Sequence, residues 1–193
     1  LRLGEVVGLR WCDIDFYTNM LHVNQTLNRL QRYDDDEADS KTEIVTQTPK
    51  SQNSIRSIPM LPELVMDLQN WRTVQMQDAA AQGTAYFDSG LIATQENGLY
   101  VEPRLMREYY QKMLAAANLP NYNFHALRHT FATRAMEQGM DAKTLSILLG
   151  HYSVGFTLDT YAHVLTDQKW TAMQTMANMY NMEPPLRQPI QFF

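Results

Sequence analysis

The chain has 193 residues, of which 45% are hydrophobic and 19% are charged, and its formal net charge is −5. This length suits one well-cored domain, and no apolar run approaches the roughly 20 residues that span a bilayer, which excludes a membrane-spanning helix. The single cysteine, Cys12, excludes an internal disulfide framework and a multi-cysteine metal site, and it predicts a reducing, cytoplasmic location.

The first half of the chain predicts a helix followed by a small antiparallel sheet. Apolar residues in 1–11 recur at helical spacing, and Gly8 stands near the expected helix end. The residues that follow alternate polar positions with apolar or β-branched ones, which is typical of strands. The predicted strands are Met20–Leu27, Thr42–Thr48 and Ser54–Ile58, with a tight turn at 50–53.

An acidic segment, residues 34–39, fills the connection between the first two predicted strands. It is polar and without apolar periodicity, so it is expected to be a solvated loop, and no motif assigns it a role. It also holds much of the negative charge that would on average repel a polyanion. Basic residues are spread over the rest of the chain, so a DNA-facing surface can be positive while the average is not.

The second half of the chain predicts a series of helices. Pro62 opens a helical pattern that continues to Gly83, and residues 90–100 predict a short extended segment and a loop. Further helices are expected at Glu102–Ala117, His125–Gln138, Asp141–Leu149, Val154–His163 and Asp167–Asn181. The prolines after Met182 cannot continue a helix, so residues 183–193 are expected to form a tail. The predicted fold class is α+β, a mainly α-helical domain with a small antiparallel three-stranded sheet.

Two short motifs contain residues suited to chemistry on a phosphate. His125 and Arg128 lie one turn apart on a predicted helix, where a guanidinium can bind an anion and an imidazole can move a proton. Tyr161 stands ten positions after His151, and its phenolate could attack and leave a phosphate reversibly. Taken alone, these motifs are better explained as a basic helix start and a core tyrosine, because anions favour helix starts without catalysis and most tyrosines are structural.

Four segments in order resemble the signature boxes of the tyrosine recombinases, the phage integrase family. The C-terminal boxes are matched by His125–Thr133, by Leu149-Gly150-His151 and by Thr160-Tyr161-Ala162-His163. The N-terminal box is matched by Leu1–Trp11, and the β-hairpin with the catalytic lysine by Thr48–Ser51 and Arg56–Pro59. The resemblance extends from Leu1 to about Leu165 and implies site-specific DNA recombination or integration, for a phage or integrative mobile element.

The resemblance implies a phosphate-binding role for two arginines. Arg2 and Arg128 would clamp the non-bridging oxygens of the scissile phosphate and stabilise the charge of the transition state. Glu5, one turn after Arg2, matches the acidic position that supports the active-site residues. No metal and no nucleotide cofactor is implied, because the two guanidinium groups supply the charge that magnesium supplies elsewhere.

The resemblance also implies roles in proton transfer and covalent attachment. Lys50 would protonate the leaving 5′-oxygen, and His125 would assist proton transfer at the attacking phenol. His151 would donate a hydrogen bond to the phosphate. Tyr161 would become linked to the DNA 3′-phosphate, forming a 3′-phosphotyrosine intermediate.

The resemblance further implies a domain organisation and partners. Residues 1–182 correspond to the catalytic domain, 183–193 form a C-terminal tail, and the family's N-terminal DNA-binding domains are expected to be absent from this chain. The sequence opens at Leu1 without an initiator methionine, as expected for a fragment. Double-stranded DNA carrying recombination sites is the expected substrate. A homotetramer assembled on DNA through the tail is expected, with accessory DNA-bending or directionality proteins as further partners.

Other interpretations remain open at this point. A DNA-binding module of the same fold that does not cleave is the main alternative, and a type IB topoisomerase shares the chemistry. A metal-dependent hydrolase using His125 and His129 would need the glutamate that zinc proteases place beside the first histidine, which is missing here. His129 is interpreted as a supporting or core residue, and His163 is left undecided.

Overall fold

The computed structural model describes residues 1–31, 42–48, 52–161 and 173–179. In chain order, the helices are α1 (Leu3–Val7), α2 (Pro62–Gln82), α3 (Pro103–Ala116), α4 (His125–Glu137), α5 (Ala142–Leu149) and α6 (Val154–Thr160). The strands are β1 (Ile14–Asp15), β2 (Met20–Val23), β3 (Thr26–Gln31), β4 (Thr42–Gln47) and β5 (Arg56–Pro59). Residues 173–179 are also helical. This is the predicted α+β, mainly helical fold, and among the described residues no helix is long and apolar enough to cross a membrane.

The predicted strands are present, but neighbouring strands in the sheets are not always neighbours in the sequence. A three-stranded antiparallel sheet has the order β1-β2-β5, and β3 pairs with β4 in a separate antiparallel sheet. The expected strand Met20–Leu27 is therefore two strands. Asn24 Nδ2 donates to an Asp13 carboxylate oxygen at 3.1 Å, and Gln25 Nε2 donates to the Gly8 carbonyl at 2.6 Å. Asn24 thus binds the turn at 11–13 and Gln25 binds the end of α1, so these two residues interrupt the ladder between the two sheets.

The helices of the second half follow the predicted pattern closely. Gly83 ends α2, and Asp141 caps α5 by accepting from the backbone N–H groups of two residues in its first turn. Buried residues of α4 and α5 pack into one core with Tyr161, which follows α6: Ala132, Met136, Leu145 and Leu149. This core fixes the ends of the three helices against one another, and the candidate site lies at those ends.

Several sequence predictions concern residues outside the described part of the chain. These are the acidic segment 34–39, the lysine at Lys50, the histidine at His163 and the tail 183–193. They stay predictions.

Candidate active site

The C-terminal end of α5 collects three arginine side chains on three successive backbone carbonyls. Arg56 Nε donates to the Leu148 carbonyl at 2.7 Å, and Arg128 Nη2 donates to the Leu149 carbonyl at 2.6 Å. Arg2 Nη2 donates to the Gly150 carbonyl at 2.9 Å. The last carbonyls of a helix have no partner within the helix, and the helix dipole places negative potential there. The end of α5 therefore gathers three cationic groups that come from distant parts of the chain.

Gly150 makes this arrangement possible. Its φ of 66° lies in the left-handed region, where glycine avoids the strain of a side chain. A Cβ atom at this position would stand 2.9 Å from Arg56 Nη1 and 3.0 Å from the Asn53 carbonyl oxygen. Both the turn and the close approach of Arg56 therefore require glycine in the Leu-Gly-His motif.

The Glu5 carboxylate neutralises two of the three arginines from behind. It is 1% exposed, and its oxygens accept from Arg56 Nη1 at 3.0 Å and Nη2 at 2.9 Å. It also accepts from Arg2 Nη1 at 3.0 Å and from the Arg2 backbone N–H at 2.6 Å. Burial alone would raise the pKa of this carboxyl, but the hydrogen bonds and charge of Arg56, aided by Arg2, lower it to about 2. Glu5 thus lies between Arg2 and Arg56 and balances both charges; the supporting role expected for it stays a prediction.

Glu5→Gln is expected to destabilise the fold, because it leaves the buried Arg56 guanidinium without a counter-ion. Breaking a buried pair in this way costs about 3 to 5 kcal/mol in the free energy of unfolding, measured by urea denaturation. The lowered pKa also means that the carboxylate stabilises the fold fully above about pH 4.5 and loses its effect as the pH falls toward 2. The variant should therefore lack this part of the acid dependence.

Glu137→Gln is the matched control for this prediction. Glu137 pairs with Arg134 at 2.8 Å on the surface of α4, where the arginine side chain is 75% exposed. Exposed pairs contribute about 0 to 1 kcal/mol, so this variant should unfold nearly like the wild type. Equal losses in the two variants would contradict a central role for the Glu5 carboxylate.

Arg128 presents an unused donor to the site. Its side chain is buried, and its Nη1 has no hydrogen-bond partner among the residues that the structure describes. Burial, followed by the charge of Arg2, lowers the pKa of this guanidinium to about 10. Buried donors without a partner are rare and costly. Two neighbouring guanidinium groups with a free donor form a site that an anion such as a phosphate would complete.

His151 follows directly after Gly150 and is held from two sides. Its backbone N–H donates to the Ser146 carbonyl at 3.0 Å, and its Nδ1 lies 2.7 Å from the Thr157 hydroxyl oxygen. Burial, followed by the charges of Arg128, Arg2 and Arg56, lowers the pKa of the imidazole to about 4. The His151 ring is therefore neutral at physiological pH, so it can donate a hydrogen bond but adds no positive charge to the site.

Tyr161 is 3% exposed, and its hydroxyl shares a hydrogen bond of 3.1 Å with His129 Nδ1. Burial raises the pKa of the phenol, while the charge of Arg128 opposes the rise. His125 meets His129 edge to face, with ring centroids 4.7 Å apart. Burial, then the neighbouring His129, Arg128 and Arg2, lowers the pKa of His125. The phenol therefore lies within the field of Arg128 and in direct contact with one imidazole.

The structure brings six of the seven predicted site residues into one region: Arg2, Glu5, His125, Arg128, His151 and Tyr161. The seventh, Lys50, lies outside the described residues. Two residues of the site were not assigned from sequence. Arg56 stood in the hairpin motif without a role, and His129 was interpreted as a supporting or core residue. The position of His129 directly after Arg128 was the available signal.

Proteins similar in sequence to this chain include a tyrosine recombinase and a transposase. A tyrosine recombinase XerC-like protein of Caldanaerobacter subterraneus subsp. tengcongensis is 34% identical over 183 residues, which is 93% of this chain and 46% of that protein. The transposase from transposon Tn916 of Enterococcus faecalis is 26% identical over 185 residues, covering 91% of this chain and 42% of the relative. The chain thus spans about half the length of the curated relatives it matches.

Solved structures similar to this chain are also those of an integrase and a recombinase. The Tn1549 transposon integrase in complex with transposon right end DNA superposes with a TM-score of 0.69 at 26% identity, covering 92% of this chain and 55% of the other. XerA recombinase, at 18% identity and a TM-score of 0.58, shares the fold. A model of the phage integrase family matches residues 1–168. The chain therefore belongs to the phage integrase family, and its fold is that of a tyrosine recombinase catalytic domain.

Proposed function

We propose that residues 1–182 form the catalytic domain of an enzyme that recombines double-stranded DNA at specific sites, as in the integration of a mobile element. The main support is the buried, unpartnered Nη1 of Arg128, whose guanidinium is in the electrostatic field of Arg2 and acts on the Tyr161 phenol. This combination provides an anion site and a nucleophile in one place. The cytoplasmic location expected from the sequence agrees with such a substrate and stays a prediction.

The arginines and His151 would bind the scissile phosphate. Arg128 offers its free Nη1, and Arg2 keeps one guanidinium nitrogen on Glu5 and another on Gly150. Arg128 is held in turn by its bond to the Leu149 carbonyl. These hydrogen bonds fix both guanidinium planes, so little reorganisation is needed when negative charge builds up on the phosphate oxygens. His151, as a neutral donor, would complete the set without adding a further cation. No step of this scheme needs a metal ion.

The reaction exchanges one phosphodiester for another. The Tyr161 oxygen forms a bond to phosphorus, the bond from phosphorus to the DNA 5′-oxygen breaks, and a 3′-phosphotyrosine results. The phenol proton passes to a histidine, and the leaving 5′-oxygen receives a proton from Lys50. Attack by a 5′-hydroxyl of a partner strand reverses these steps and rejoins the DNA. The bond energy is conserved, so no nucleotide is consumed.

His129 is the histidine that contacts the phenol, and we assign the first proton transfer to it. The 3.1 Å hydrogen bond between Nδ1 and the hydroxyl is a direct path for the proton. His125, which the sequence assigned to this step, then assists through its edge contact with the His129 ring. We expect His129→Gln to slow cleavage by about 100-fold and His125→Gln to slow it less, measured as single-turnover rates. The reverse order would return the role to His125.

Covalent trapping on DNA tests the proposed function. A duplex that spans the ends of the element carrying the gene, nicked beside the cleavage point, should accumulate a protein–DNA adduct because the short cleaved strand diffuses away. We expect the adduct to form in the presence of EDTA, since guanidinium groups supply the charge. DNA binding without an adduct would favour the alternative, a DNA-binding module that does not cleave. Loss of the adduct in EDTA would contradict the proposed mechanism.

The tail 183–193 is proposed to connect protomers in a homotetramer on DNA, with accessory DNA-bending or directionality proteins as further partners. Four of its residues are large and apolar and would bury surface against a neighbour: Leu186, Ile190, Phe192 and Phe193. Deleting 183–193 is expected to leave cleavage of a single site intact and to reduce tetramers on paired sites, measured by native gels and light scattering. Unchanged assembly after the deletion would remove this role.

A further inference from the structure

The Thr157 side chain is an unassigned partner of the active-site histidine. Its exposed fraction is 0%, and its hydroxyl oxygen lies 2.7 Å from His151 Nδ1. The short helix α6 places it there, because Ser153 caps the helix start by accepting from the Phe156 backbone N–H at 3.2 Å. The Phe156 ring meets the imidazole edge to face at 4.9 Å. The histidine ring is therefore fixed in orientation, and its Nδ1 is occupied.

A neutral imidazole has a single N–H, and its position decides what the ring can do. With the proton on Nε2, that nitrogen donates to a phosphate oxygen; with the proton on Nδ1, Nε2 can only accept. The partner of Nδ1 sets this choice. A carbonyl or carboxylate would hold the proton on Nδ1, as it does for many metal-binding histidines. A threonine hydroxyl can rotate its own hydrogen toward Nδ1 instead.

The charges around His151 also favour a neutral partner. The ring is in the field of Arg128 and His129 from α4, Arg2 beside α1 and Arg56 from β5. These groups disfavour an imidazolium. A carboxylate in the place of Thr157 would counteract them and promote protonation. A hydroxyl satisfies Nδ1 without adding charge, so the ring stays neutral.

We propose that Thr157 is a positioning residue whose hydroxyl donates to Nδ1 of His151 and thereby keeps the ring proton on Nε2, facing the anion site. The tautomer is assigned from the Thr157 contact and the surrounding charges. Its use, donation to the scissile phosphate, rests on the proposed function.

The tautomer can be read directly by NMR. In protein labelled with ¹⁵N-histidine, long-range correlations between ring protons and nitrogens identify which nitrogen bears the proton. We expect His151 to be protonated on Nε2 in the wild type and in Thr157→Ser, which keeps the hydroxyl. Thr157→Val, which has the same shape without the hydroxyl, should shift the ring toward a mixture of tautomers. A proton on Nδ1 in the wild type would overturn the proposal, and so would an unchanged spectrum in Thr157→Val.

Two further measurements separate folding and function from the tautomer. Thermal unfolding shows whether Thr157→Val folds; if it does not, the wild-type and Thr157→Ser spectra still decide the question. In the trapping assay, Thr157→Val should slow adduct formation about tenfold and Thr157→Ser by less than about twofold, the effect expected for one hydrogen bond. If the wild type shows the Nε2 tautomer but forms no adduct, the proposed function fails and the tautomer assignment stands. A shifted tautomer with an unchanged cleavage rate would overturn the role in catalysis.

Discussion

Replacing Tyr161 with phenylalanine is expected to abolish the covalent protein–DNA adduct completely. The phenol oxygen is the atom that bonds to phosphorus in the proposed reaction, and phenylalanine has no atom to take its place. The fold should tolerate the change, because the ring keeps its packing in the core of α4 and α5. The variant loses one hydrogen bond to His129, which contributes about 1 kcal/mol. DNA binding, measured by gel shift, should therefore be preserved while trapping is lost.

Tyr152→Phe is the matched control for this experiment. Tyr152 directly follows His151, and it is 86% exposed. Removal of its hydroxyl should leave the rate of adduct formation unchanged. An adduct that persists in Tyr161→Phe would show that another residue attacks the phosphate and would contradict the assignment of the nucleophile.

The convergence of the site residues could be predicted from the family resemblance but not from local spacing. Arg2 and Gly150 are 148 positions apart, and their contact depends on how the fold places the start of the chain beside the end of α5. A helical or strand pattern describes only near neighbours along the chain. The order of the four family motifs indicated that these distant residues meet. The structure shows why they meet: the carbonyls at the end of α5 accept hydrogen bonds from all three arginines.

Arg56 shows what sequence patterns leave out. Within the strand β5 it alternates with its neighbours as any surface arginine would, and its motif gave it no role. Its side chain is nevertheless 3% exposed, because Glu5 and the Leu148 carbonyl satisfy its donors. Such burial depends on partners from two other elements. The pairing of β3 with β4 is a similar case, since alternation identifies strands but not their neighbours in a sheet.

Glu5 and the end of α5 explain how the site holds several cations together. Glu5 balances Arg56 and Arg2, and the end of α5 adds the negative potential of a helix terminus. Arg128 has the Leu149 carbonyl for one nitrogen but does not contact the carboxylate in a described hydrogen bond. Its positive charge is therefore the least compensated of the three. A bound phosphate would restore the balance, which makes Arg128 the residue whose substitution should most affect the anion.

Arg128→Lys is expected to slow adduct formation by about 100- to 1000-fold, the range found when one preorganised transition-state donor is lost. Lysine keeps the positive charge but cannot donate to the Leu149 carbonyl and to a phosphate oxygen with one rigid, planar group. Charge alone would therefore not suffice. Arg134→Lys, on the exposed surface of the same helix, is the matched control and should cleave at the wild-type rate.

The cleavage rate and the DNA affinity of Arg128→Lys together distinguish two roles for Arg128. If Arg128 stabilises the transition state, the single-turnover rate at saturating DNA should fall while the affinity for DNA changes little. If it only attracts DNA, the affinity should fall and the rate at saturation should be retained. The free Nη1 is a fixed, buried donor, so its main effect is expected on the phosphate that it contacts in the transition state. We therefore expect the loss in the rate, and an equal rate at saturation in Arg128→Lys and the wild type would contradict the proposed phosphate clamp.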